Sequence, residues 1–395
     1  MSLNLFAEGR PAGRRAAIVL CRRTPFGRLR GVFSTIEAHD LLAAVLPAAQ
    51  EDARLAAEDI DDVIIGNATG GGGNVARLAA LTAGLPAAVP GLTIDRQCAS
   101  GLEAIVLACR LVESGAGSWF IAGGVESCST APLRAHRLTS LPGAPDFYSR
   151  VRFAPDAYGD PDAGEAAENV ASSFGIGREQ QDRYALLSYT RTMASLDGMA
   201  AEIVPLAGCD SDETPRRGMT AALLSRFPAA FKAGGSVTAG NSCADADGAV
   251  IAVVTSIERA RKAGFGTVLE FHDSVSAGGP PAMFGTAGAY AVRQLLQRLR
   301  LGPDAVSSWE YNEAFAAQVL ASAQLIGVDP GKLNLHGGAL TYGHPYGASG
   351  AMLVANLLRQ VTIPGAHGRD DGWSVAAVSA AGGVGTAAAF RPAML

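Results

Sequence analysis

Apolar positions along the chain follow two rhythms. Leu102, Ile105, Val106, Cys109 and Val112 recur three and four residues apart, as do Met352, Ala355, Leu358 and Val361. That spacing predicts two helices, each with one buried stripe. Two shorter runs, "SWFIAGG" (118–124) and "SVAAVSA" (374–380), are continuously apolar or small. Such runs fit strands covered on both faces, as in a parallel sheet.

These elements sit inside an internal repeat. "DIDDVIIGNATG" (59–70) is followed by "CASGLEAIVLACRLVESGAGSWFIAGGVES" (98–127). "DAVSSWEYNEAF" (304–315) is followed by "GASGAMLVANLLRQV" (347–361) and "WSVAAVSAAGGVG" (373–385). Each copy reads strand, loop, Ala-Ser-Gly, helix, strand, Gly-Gly. Asn312 takes the place of Asn67, and Gly347 the place of Cys98. Strand–helix–strand units imply an α/β fold with right-handed crossovers. The repetition implies two similar halves related by a pseudo-twofold. The N-terminal half is expected over 1–120 plus 246–270, and the C-terminal half over 271–395. Between them, residues 121–245 are richer in Pro, Asp, Arg and Gly, and read as a loop domain laid over one face. One helix is expected inside it, Gly177 to Gly198.

Composition narrows the function. Of 395 residues, 48% are hydrophobic and 17% charged, which supports a large core and argues against disorder. A net charge of −5 argues against nucleic acid or an anionic membrane as the main partner. No apolar run is long enough to span a bilayer. Gly9, Pro11 and Gly13 interrupt the arginine-bearing N-terminus, so it reads as an unstructured lead-in rather than a transit helix. The six cysteines, at 21, 98, 109, 128, 209 and 243, show no zinc-like spacing. They read as reduced thiols in a cytoplasmic setting, with no metal site expected.

One of those thiols invites chemistry. Cys98 is expected at the N-cap of the first repeat helix, where free amides and the helix dipole favour a thiolate. Ala99, Ser100 and Gly101 are small, so a carbonyl can approach the backbone and the Cys98 amide can meet an oxyanion. A thiol nucleophile needs a base. In the second copy "HGGALTYGHPYGASG" places His344 just before Gly347, and a pseudo-twofold brings it towards Cys98. His336 in the same loop reads as structural. Asn312, at the end of a strand, is a candidate partner of His344 or simply a polar cap.

These residues resemble the thiolase family. "RTPFG", "DRQCASGLEA", "GREQQDRYALLS", "FKAGGSVTAGN", "YNEAFAAQ" and "GGALTYGHPYGASGA" occur in the family's order across nearly the whole chain. The resemblance implies a five-layer αβαβα fold with an inserted loop domain, assembled as a homodimer or homotetramer. It implies acyl transfer from acyl-CoA, with CoA and acyl-CoA as substrates and no bound cofactor. Cys98 would carry the acyl group, His344 would activate it, and Asn312 with His344 would bind an enolate oxygen. Arg216 falls where the family contacts the CoA nucleotide, which suits a planar guanidinium.

The chain also departs from that pattern. Ser379 stands where thiolases carry a second catalytic cysteine, and Ala381 where they carry the first glycine of the Gly-Gly-Gly run. A hydroxyl is a poor proton shuttle near neutral pH, and loss of a matched acid–base group typically costs on the order of 10²–10⁴ in rate. Cys243 replaces a serine expected near CoA, and Asp162 stands at a substrate-side histidine of some members. Cys128 is a further thiol that would line the pocket and stand in for the lost one. Three functions stay open: thiolysis or Claisen condensation through a Cys98 acyl-enzyme; decarboxylative condensation or other acyl transfer; and non-catalytic acyl-CoA binding.

Overall fold

The computed structural model describes residues 14–138, 143–362 and 372–395. The expected N-terminal lead-in lies outside the described residues. The first half contributes β1 (Ala16–Arg23), β2 (Gly27–Arg28), α1 (Ala38–Asp52), β3 (Asp62–Gly66), α2 (Val75–Thr82), β4 (Gly91–Ile94), α3 (Ser100–Ser114) and β5 (Trp119–Ser127). An inserted region carries β6 (Arg134–His136), β7 (Asp146–Tyr148), α4 (Ala163–Ser173), α5 (Arg178–Ala200) and α6 (Ala221–Leu224). The chain then returns to the first half with β8 (Ala246–Ser256) and α7 (Ile257–Lys262). The second half holds β9 (Thr267–Gly278), α8 (Ala287–Leu299), β10 (Val306–Tyr311), α9 (Ala316–Ile326), α10 (Ala339–Tyr342), α11 (Tyr346–Thr362), β11 (Trp373–Ala380) and β12 (Val384–Met394).

The strand order is β10-β11-β12-β9-β1-β8-β5-β3-β4. Outward from the β9–β1 junction, each half runs through the same sequence of roles, and β4 is the extra edge of the first half. The sequence repeat is therefore a palindrome in the sheet. β3 pairs parallel with β5, and β10 parallel with β11, as their crossover helices require. Within the sheet the halves meet at β1 and β9, whose ladder has two residue pairs, Ala17 with Glu270 and Ile18 with Leu269.

Strand alternation sorts the core into layers. Ile64 faces one cluster with α3 and α11, while Val63 and Ile65 face another with α1 and α2. Val375 and Ala377 face α8 and α9, while Ala376 and Val378 face the central helices. The layers are thus outer helices, sheet, central helices, sheet, outer helices. Each fully buried Val, Ile, Leu or Phe contributes about 1.5–3 kcal/mol, so the central layer holds the halves together. Its helices touch through backbone: a Cβ on Gly101 would strike the Gly347 carbonyl, and one on Gly350 would lie 2.6 Å from the Leu102 amide.

The inserted region is tied down by buried ion pairs. Arg23 of β1 meets Asp212 at 2.6 Å, and Arg359 of α11 meets Glu202 at 2.8 Å. The expected helix at 177–198 is α5. Two expected boundaries shift: 120/121 falls inside β5 and 270/271 inside β9. Both strands keep their ladders across those points, so hydrogen bonding, not composition, sets the borders.

Candidate active site

Cys98 sits in a tight turn between β4 and α3. The Asp95 carboxylate accepts from the Gln97 amide at 2.7 Å, and Ser100 Oγ accepts from the Arg96 amide at 2.7 Å while donating to the Gln97 carbonyl at 2.6 Å. These bonds hold Gln97 at φ 51°, a left-handed conformation that a non-glycine residue adopts only when its surroundings impose it. The N-cap of α3 is Ala99, so Cys98 precedes the cap rather than occupying it. The expected depression of the thiol is also overturned. Burial, aided by the Glu126 and Asp245 charges, pushes it up to about 12. The amides of Cys98 and Ala381 converge on the sulfur and offset part of this. Desolvation outweighs the helix terminus here.

Glu126, at the end of β5, is fully buried. Its carboxylate accepts from Asn67 Nδ2 (2.8 Å), the Ala68 and Thr69 amides (3.0 and 3.1 Å), Thr69 Oγ1 (2.6 Å) and the Gly347 amide (3.0 Å). One carboxylate thereby ties the β3 loop to the start of α11.

His344 lies between α10 and α11. Its amide donates to the Ala244 carbonyl at 2.8 Å, and Nδ1 is 2.6 Å from Ser349 Oγ. Nε2 is buried without a partner. Burial pushes the imidazole down to about 4, so the ring is neutral at neutral pH. Asn312 follows β10, where its amide donates to Ala377 at 3.0 Å, and its Nδ2 is likewise buried and unpartnered. Asn67, its repeat counterpart, is fully used: Nδ2 donates to Val125 and Glu126, and Oδ1 accepts from Gly70. Only the second copy leaves its asparagine open.

Cys243 lies on the segment between these two loops. Its amide donates to the Ala314 carbonyl at 3.0 Å, and the next carbonyl, Ala244, receives His344. Burial pushes its thiol well above the ordinary range, with the Asp245 charge and Cys98 adding to the effect. The sulfur packs against the same core as Cys98. Cys128 is raised by burial and by Glu126, Asp245 and Asp247.

Ser379 is held within a structural network. Its hydroxyl donates to the Gly285 carbonyl (2.7 Å), accepts from the Gly288 amide (2.9 Å) and lies 3.2 Å from Tyr311 Oη. Arg216 is exposed on the loop before α6, close enough to Tyr189 of α5 for its charge to act there. Asp162 precedes α4 at its N-cap position without a side-chain capping bond, lies beside Arg150 Nε (3.0 Å) and is 78% exposed at its side chain, so it does not line the buried site. His336 meets Ser195 Oγ at 3.1 Å, in line with a structural role.

Cys98 and Cys243 pack on one core with the Ala381 amide on the Cys98 sulfur, and the Cys243–Ala244 segment is bonded to the loops that carry Asn312 and His344, while Arg216 stands apart on the surface. Sequence reasoning missed Ser349 and Glu126. Ser349 was signalled by its place five residues after His344, one helical turn into α11. Glu126 carried no pattern beyond being an acid at the end of an apolar strand.

The comparisons with known proteins bear on this arrangement. The family model described as "Thiolase, N-terminal domain" matches residues 16–258, and "Thiolase, C-terminal domain" matches 266–392. The chain belongs to the thiolase family. Among relatives of this thiolase-family chain, a Bacillus subtilis protein named "Putative acetyl-CoA C-acetyltransferase YhfS" is 42% identical over 95% of this chain and 99% of its own. A Staphylococcus aureus protein named "Putative acetyl-CoA C-acetyltransferase VraB" is 39% identical over 95% and 99%. The crystal structure of the Bacillus anthracis acetyl-CoA acetyltransferase matches with a TM-score of 0.87 and 30% identity, over 97% of this chain and all of that one. The thiolase fold follows. Among the described residues, no helix is long and apolar enough to cross a membrane, and no cluster of His, Cys, Asp and Glu is arranged to hold a metal ion.

Proposed function

We propose that this chain is an acyltransferase that takes an acyl group from acyl-CoA onto Cys98. The observation carrying the reading is a sulfur under two amides, on the core that also holds Cys243, together with two buried nitrogens without protein partners on the adjoining loops, His344 Nε2 and Asn312 Nδ2. A buried polar atom without a partner calls for a reason, and a substrate oxygen supplies one for both. Family membership and the acetyl-CoA names of the relatives support acyl-CoA as the donor.

The resting pair is a thiol and a neutral imidazole. As Cys98 attacks the thioester carbonyl, its proton passes to the His344 side and CoA leaves as the thiol. The amides of Cys98 and Ala381 meet the tetrahedral oxyanion. In the carbon–carbon step, His344 Nε2–H and Asn312 Nδ2 meet the enolate oxygen. Cys243 borders the thioester end of the CoA channel, and Arg216 meets the nucleotide phosphates at its mouth. The physiological reaction is 3-ketoacyl-CoA thiolysis or its Claisen reverse. Ser379, at the place of the family's second cysteine, favours a second reading, because its hydroxyl is fully engaged with Gly285, Gly288 and Tyr311. There the acyl-enzyme discharges by decarboxylative condensation or to another acceptor.

Self-association is part of the same reading. Edge strand β4 and the neighbouring α2 expose Leu78, Leu81 and Leu92 at 45%, 45% and 38%, and a homodimer or homotetramer covers them. Light scattering on the purified chain measures this.

The test is intact-protein mass spectrometry after incubation with acetyl-CoA and with a medium-chain acyl-CoA. An acyl adduct on wild type that is missing from Cys98→Ala is expected. An unmodified wild type with every acyl-CoA tried sinks the reading in favour of non-catalytic binding.

A further inference from the structure

The carbon–carbon chemistry must move a proton at the α-carbon of an acyl-CoA, and Ser379 is tied elsewhere. Two carboxylates lie close enough for their charges to act on the Cys98 sulfur, Glu126 and Asp245. Glu126 is saturated by five donors. Asp245 is not. It is partly exposed, and its single side-chain bond comes from Tyr346, whose hydroxyl donates to Oδ1 at 2.5 Å. Oδ2 stays open.

The backbone sets this pair beside the candidate base. Asp245 bridges to His344 in parallel, and the Ala244 carbonyl receives the His344 amide at 2.8 Å. Tyr346 stands edge-on to the His344 ring, with centroids 5.2 Å apart and planes at 88°.

We propose that Asp245 is the acid–base residue of the carbon–carbon step and that Tyr346 positions it. The inference rests on the acyltransferase reading above. In exchange or condensation, Oδ2 takes the α-proton of the acyl-CoA. The C–H bond breaks, an O–H bond forms, and the electron pair moves into an enolate whose oxygen faces His344 and Asn312. In cleavage, the same O–H returns the proton to the α-carbon.

The experiment is deuterium uptake into acetyl-CoA in D2O, read by mass spectrometry of recovered acetyl-CoA. Acylation of Cys98 is followed in parallel on the intact protein. Wild type is expected to acylate and to exchange. Asp245→Asn should still acylate, which also reports that it is folded, but exchange on the order of 10²–10⁴ slower. Asp245→Glu should recover part of the loss. Tyr346→Phe should exchange about tenfold more slowly, the effect of roughly one hydrogen bond. The loss should appear in kcat with KM unchanged, as for a group that positions the carboxylate rather than binds the substrate. Exchange in Asp245→Asn at the wild-type rate overturns the proposal, as does a wild type that acylates but never exchanges. A wild type that does neither overturns the acyltransferase reading itself, and this inference with it.

Discussion

Nδ1 of His344 lies 2.6 Å from the hydroxyl of Ser349, while Nε2 of the same ring faces no protein atom that bonds it. One side of the imidazole is fixed so that the other is available. Ser349→Ala should therefore slow acylation about tenfold, as the loss of roughly one hydrogen bond predicts. His344→Ala should cost on the order of 10²–10⁴. Acylation rates from stopped-flow or timed mass spectrometry decide this. Equal damage from the two variants would mean that Ser349 does more than orient the ring.

Asn67 and Asn312 occupy equivalent places in the repeat, yet only Asn312 has an open amide. Asn312→Ala should depress turnover with little change in melting temperature. Asn67→Ala should destabilise the fold by about 1–3 kcal/mol, because Glu126 loses a buried donor. Thermal melts beside activity assays test the contrast, and a reversed pattern refutes it.

Burial and the Glu126 charge hold the Cys98 thiol near 12. A free thiol titrates near about 8.5, so its alkylation rate levels off above that pH. Cys98 alkylation by iodoacetamide, followed at the peptide level, should keep rising up to pH 10. A plateau below pH 9 would show a thiolate favoured as first expected from the helix terminus.

Ser379→Ala removes a hydroxyl that serves the Gly288 amide and the Gly285 carbonyl. The cost should be about 1–3 kcal/mol in urea unfolding. Ser379→Cys places a thiol there and, with Asp245 as the acid–base residue, should leave thiolysis of a 3-ketoacyl-CoA at the wild-type rate. A clear gain from the cysteine would mean that the lack of a thiol at 379 limits the chemistry and would count against the Asp245 proposal.

Glu310 of β10 is fully enclosed, and burial pushes its carboxyl up to about 8 despite bonds from Asn356 (2.8 Å) and Gln360 (2.7 Å). An unfolded glutamate titrates near about 4.3. Between those values the folded chain keeps a proton that the unfolded chain has released, so this group lowers stability as pH rises through the window. Melting temperatures from pH 5 to 9 should fall less steeply in Glu310→Gln than in wild type. Parallel slopes would show that Glu310 is not the source.

Much of this was legible in the residues. The three-and-four spacing from Leu102 to Val112 and from Met352 to Val361 placed both central helices. The repeat exposed the symmetry that sets the Cys98 turn and the His344 loop just before the two central helices. What escaped the sequence depends on neighbours from distant strands. The state of Cys98 is set by burial and by Glu126, which no local pattern near Cys98 announces. Asp162 looked like a pocket residue by position, yet Arg150 holds it at the surface. Asp245 and Tyr346 are about 100 residues apart in sequence and meet only because the segment before β8 runs beside the His344 loop.

The direct backbone contact at Gly101, Gly347 and Gly350 has a consequence for how activity arises. Cys98 is delivered by one half and His344 by the other, beside two helices whose backbones come into direct contact. Their separation is a property of docking. A chain cut between residues 258 and 266 would yield two fragments, one with a sulfur and no imidazole, the other the reverse. Acyl transfer would then report, molecule by molecule, whether the fragments had found each other.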